Sequence, residues 1–96
     1  MIKLRTKQGY TAYTCALIEL FAIGGFGVCD SCSRITRTSG YLIPVLNRYY
    51  CQTCFEDWLN RAEYYPEDIP FERATAAYYE SKIPVEGEIR FDNLYL

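Results

Sequence analysis

Apolar residues recur along this chain in three rhythms. The clearest is helical: Phe55, Trp58, Leu59 and Ala62 fall at i, i+3, i+4 and i+7, while Glu56, Asp57, Asn60, Arg61 and Glu63 turn away. That spacing predicts an amphipathic helix from Cys54 onward, with Glu56 and Asp57 complementing its dipole from the first turn. The stretch "YYPEDIP" stops it. A second helix is predicted near Asp68, a good N-cap with proline tolerated just inside, and it places Phe71, Ala74, Ala77 and Tyr78 on one face.

The second rhythm is that of a hairpin. "YLIPVLNRYYC" holds two apolar runs broken at Asn47-Arg48, and asparagine tolerates the left-handed turn conformation. Its second strand delivers Cys51, and Pro44, lacking a ladder donor, predicts that its first strand is an edge. The third rhythm is mixed. Thr11 to Ile23 contains both helix and strand formers and ends at Gly24-Gly25, a helix C-cap or the entry to a turn, and it is read here as an N-terminal helix. Phe26 to Val28 reads as a short extended arm. The tail "VEGEIRFDNLYL" alternates loosely, as a strand would or a segment ordered by a partner. The expected fold class is α+β, a single domain over residues 1–96, with no repeat or linker dividing it.

A chain of 96 residues buries a modest share of its surface and gains from a staple. Half of it is apolar and ten residues are tyrosine, so it does not read as disordered. "MIKLRTKQGY" followed by threonines is no convincing secretory signal, and "ALIELFAI" is too short to span a bilayer, so a cytoplasmic location is expected. The net charge of -2 conceals an asymmetry: six cations face two carboxylates in residues 1–50, and four face ten in residues 51–96. Tight nucleic-acid binding is therefore not expected.

The candidate chemistry lies in "CDSC", residues 29–32, answered by "CQTC", residues 51–54, in a chain without histidine. Two residues between cysteines is the spacing of a knuckle turn that aims both sulfurs at one ion, and two knuckles complete a tetrahedron. The spacing favours one structural Zn2+ on Cys29, Cys32, Cys51 and Cys54 over redox dithiols or disulfides, which are rare in a reducing compartment. A bound ion adds charge of its own, and four thiolates leave the zinc centre doubly negative. Cys15, the fifth cysteine, sits in an apolar run and reads as a buried structural thiol. The absence of histidine and the closed ligand set argue against catalysis, so no enzyme is expected.

Knuckle, hairpin, then a knuckle leading into a helix resembles the treble-clef group of zinc fingers, over residues 28–62. That resemblance implies the ligand role for the same four cysteines. The flanks carry a different signal, a tyrosine and carboxylate surface expected from Tyr64, Tyr65, Glu67, Asp68, Tyr79 and Glu80, suited to a basic protein partner. The alternative is a zinc-ribbon-like nucleic-acid binder using Lys3, Arg5, Lys7, Arg34, Arg37 and Arg48. In size, acidity and cysteine pattern the chain is similar to small accessory proteins of phages and mobile elements. Some of these are anti-CRISPR inhibitors, so the resemblance implies an inhibitor of an RNA-guided nuclease.

Overall fold

A computed structural model describes residues 1–90 of the chain. Five strands, β1 (Ile2–Arg5), β2 (Thr11–Ala16), β3 (Ser39–Ile43), β4 (Arg48–Tyr50) and β5 (Gly87–Arg90), form one sheet in the order β4-β3-β2-β1-β5. β1 to β4 pair antiparallel in sequence order, and β5 returns to lie parallel to β1, with Leu4 opposite Ile89. The helices are α1 (Leu17–Leu20), α2 (Gln52–Arg61) and α3 (Ile69–Lys82). The expected α+β class is what the chain adopts. No helix among the described residues is long and apolar enough to cross a membrane.

The strands β2 to β4 are buried on both faces because their side chains alternate. Ala12, Ile43 and Tyr50 point toward α2 and meet Phe55, Trp58 and Leu59. Tyr13, Cys15, Leu42 and Tyr49 point the other way and meet Leu20 of α1 and Tyr79 of α3, with Ile83 just beyond it. The amphipathic face read for α2 is thus the packed one. Its bounds differ: the helix begins at Gln52 with Cys51 as N-cap, so Glu56 and Asp57 fall in the second turn and the first turn holds no carboxylate.

Four expectations are corrected. Thr11–Ile23 is not a helix: Thr11–Ala16 is a central strand hydrogen-bonded on one side to β1 and on the other to β3. Its period-2 set, Thr11, Tyr13 and Cys15, is buried, and pairing on both sides outweighs the local helix preference of alanine. Only Leu17–Leu20 is α-helical, followed by a 3-10 turn that ends at Gly24 with φ 81°, so the glycine cap is where it was expected. Second, β3 is not an edge, since it lies between β2 and β4. Pro44 sits one residue past the strand, in the turn, where no ladder donor is required, and Asn47 there has φ 52°. Third, α3 starts after Asp68 as expected, but Phe71 and Tyr78 are exposed and the packed side carries Glu72, Ala76, Tyr79 and Ile83. Fourth, Tyr79 belongs to the core and not to a surface. The tail is a strand over Gly87–Arg90, and residues 91–96 lie outside the described residues.

Candidate metal centre

The first knuckle is shaped by its own backbone. The Cys29 amide donates to the Arg34 carbonyl at 2.8 Å and the Ser33 amide donates back to Cys29 at 2.9 Å. Ser33 takes φ 64°, a left-handed conformation that closes the loop, and Val28 bridges Ile35 at its base. The second knuckle is the junction of β4 with α2. Cys51 is extended, and the Phe55 amide donates to its carbonyl at 2.9 Å to start the helix.

Asp30, inside "CDSC", joins the two. Its amide donates to the Tyr49 carbonyl at 2.8 Å, and its Oδ2 accepts from the Tyr49 amide at 2.8 Å. This reciprocal pair docks the first knuckle against β4 two residues before Cys51. Thr36 adds a second tie, accepting from or donating to the Tyr49 hydroxyl at 2.6 Å. Neither residue stands out in the sequence; the only signal was an aspartate between two cysteines, a position suited to bonding nearby amides.

The outcome is four free thiols whose Sγ atoms all lie within 4.8 Å of one another. Cys32 and Cys51 are 3.7 Å apart, against an edge of about 3.8 Å for a tetrahedron of sulfurs at ~2.3 Å from a central ion. Geometry and donor set therefore fit a tetrahedral metal site formed by the four cysteines the spacing indicated. Cys29 is buried, Cys51 and Cys54 are half-buried, and Cys32 is exposed. The site rests on the α2 cluster, where Tyr41 stacks on Phe55 with centroids 4.1 Å apart and rings 5° from parallel.

Electrostatics differ across the cluster. Burial would push the Cys29 thiol up, but hydrogen bonds from the Cys51, Cys32 and Ser31 amides outweigh it and bring the group down to about 6. At Cys54 the Ser31 hydroxyl pulls down, yet burial and the three neighbouring thiols push it up to about 12. One anion forms readily and resists a second beside it. A divalent cation bound there would supply the charge that lets all four thiols ionise. Cys15 lies away from this cluster in the opposite core, where burial pushes it up to about 11.

The expected partner surface is only partly assembled. Tyr64 and Tyr65, 41% and 48% exposed, share the turn between α2 and α3 with exposed Glu67. Asp68 adjoins them but accepts from the Tyr10 hydroxyl at 2.9 Å. Tyr79 is 2% exposed and its hydroxyl donates to Asn47 Oδ1 at 2.8 Å. Glu80 stands about 18 Å further along α3 and accepts from Lys3 at 3.2 Å and from the Tyr13 hydroxyl. The sequence reading also missed Glu72, which is 5% exposed and accepts from the Thr11 amide at 2.9 Å. With the fold and the site in view, no protein-family model, curated protein or solved structure matches the chain.

Proposed function

We propose that this chain is a non-enzymatic protein-binding module stapled by one Zn2+ in a treble-clef-type centre. In this reading Cys29, Cys32, Cys51 and Cys54 hold the zinc, because an all-thiolate tetrahedron suits zinc and leaves no open position for substrate. The observation that carries the binding role is the exposed turn of Tyr64, Tyr65 and Glu67, large amphipathic rings beside a carboxylate. Carboxylates steer a basic partner and tyrosines bury area once it docks. The partner class implied by the resemblance to phage accessory proteins is an RNA-guided nuclease.

The test is direct binding of the zinc-loaded protein to a purified RNA-guided nuclease and to duplex DNA. Asp68 and Glu80 have internal partners, so the informative variant is Tyr65→Ala with Glu67→Lys, set against Arg34→Glu with Arg37→Glu. The first pair should weaken capture of the nuclease roughly tenfold or more, as expected for interface anchors, and the second should change it little. Duplex binding that survives physiological salt and is lost in the arginine variant would establish the nucleic-acid reading instead.

A further inference from the structure

Away from the cysteines, α3 from Ile69 to Glu80 and residues of β1 and β2 line a cleft of about 460 Å3. That is within the size range of small-molecule sites. Its walls carry Lys3, Arg5, Tyr64, Glu72, Arg73 and Glu80, with small apolar side chains of α3 between them. Lys3 and Glu80 already satisfy each other at 3.2 Å. Glu72 and Arg73 have no ion pair among the described residues, and Arg5 holds only a long one, to Glu88 at 3.8 Å.

Glu72 is nine-tenths buried, yet among the described residues it has no ion pair, and only its Oε2 is engaged, by the Thr11 amide. Burying a carboxylate with no direct ion pair is costly even with Arg5 and Lys3 nearby, and a neutral acceptor would serve that amide as well. Arg73 has no ion pair or side-chain hydrogen bond among the described residues, and Arg5 reaches only Thr11 Oγ1 at 3.3 Å and Glu88 at 3.8 Å. A simple anion here is repelled by Glu72. A simple cation is repelled by Arg5 and Arg73. A molecule carrying both charges meets complementary groups at each end.

We propose that this cleft binds a free α-amino acid, its ammonium on Glu72, its carboxylate on Arg5 and Arg73, and its side chain against Tyr64. Guanidinium groups suit the carboxylate because their paired donors match its two oxygens. The Tyr64 ring packs closely over Gly9, whose φ is 106° and where an added Cβ would sit 3.2 Å from the ring. Burial raises the Glu72 carboxyl, with the Thr11 amide, Arg5 and Lys3 opposing and Asp68 adding to the rise. An incoming ammonium would offset that penalty.

The experiment titrates the zinc-loaded full chain with each common amino acid, and with acetate and methylammonium as half-ligands, following amide resonances and heat. At least one amino acid should saturate and shift the Thr11 and Gly9 amides, while neither half-ligand does so at the same concentration. Glu72→Gln keeps an acceptor for Thr11 and should weaken binding roughly tenfold or more, as should Arg73→Ala, each removing one charge-assisted hydrogen bond. Response to no amino acid, saturation by acetate or methylammonium alone, or unchanged affinity in Glu72→Gln would overturn the assignment. Glu67→Lys lies outside the cleft and should leave amino-acid affinity unchanged, which separates this result from failure of partner binding; a loss there would also count against the cleft.

Discussion

Glu72 and Glu80 lie about two turns apart on α3 and titrate in opposite directions. Burial holds the Glu72 carboxyl above its ordinary value, so its protonated form is favoured by folding. Its stabilising contribution is full below the unfolded value of about 4.3 and is lost as pH rises through the folded one. Glu80 is held below its ordinary value, chiefly by the Tyr13 hydroxyl and, after opposition from burial, by Lys3. Its contribution is present above about 4.3 and disappears as pH falls. Thermal melts across that range should show Glu72→Gln losing less stability than the wild type on going from acid to neutral. Glu80→Gln should melt lower at neutral pH and converge on the wild type in acid; a pH-independent deficit would refute the assignment. Among the thiols, Cys54→Ser should abolish stoichiometric metal binding, whereas Cys15→Ser, in the opposite core, should retain one metal per chain by elemental analysis.

At the scale of elements, the four clustered thiols come from a loop and a strand-to-helix junction that must be held in register to hold a metal. Asp30 does this through both bonds to Tyr49. Asp30→Ala removes one and leaves the Tyr49 amide without its acceptor, so metal affinity measured by competition with a chelator should fall roughly tenfold or more. Unchanged affinity would mean that the knuckles position themselves. Gly40 makes a related point in β3. A Cβ there would lie 2.4 Å from the Tyr49 ring, which the sheet and Thr36 hold fast. Gly40→Ala should therefore destabilise by roughly 1–3 kcal/mol, the usual cost of overpacking, measured by urea denaturation. The α2 start is also informative: the dipole end that usually attracts Asp or Glu here faces Cys51 and Cys54. The cysteine sulfurs occupy the place of the missing carboxylates.

For the whole molecule, a single sheet carries two separate cores, one under α2 beside the thiols and one under α1 and α3. Because the same strands floor both, loss of the knuckles strips the α2 side and exposes the strands that the other side needs. Chelation should thus lower the melting temperature by about 10 °C or more, given several degrees per kcal/mol in a domain of this size, and blunt the transition. Trp58, 5% exposed on the α2 face, is a built-in reporter and its emission should shift to the red on metal removal. An unchanged melt and unchanged emission would show that the sheet stands without the staple.

Much of this was legible in the sequence. The paired CxxC spacing named all four thiols because ligand separation within a knuckle is a local property, and the i, i+3, i+4, i+7 set named the buried face of α2 for the same reason. Asn47 and Gly24 were legible as left-handed positions because steric permission is written in the residue itself. Thr11–Ala16 was not, since a strand's neighbours on either side are chosen by tertiary pairing and its own propensities were divided. Nor was the rotation of α3. Periodicity grouped Phe71, Ala74, Ala77 and Tyr78 on one face, whereas the Thr11 amide at the start of β2 offers the Glu72 carboxylate a buried partner and Tyr79 finds Asn47. Local chemistry determined the four thiols that can hold a metal; which face of α3 is buried, and the charged cleft beneath it, were decided by contacts such as the Thr11–Glu72 hydrogen bond, between residues some sixty apart, which only the folded chain brings together.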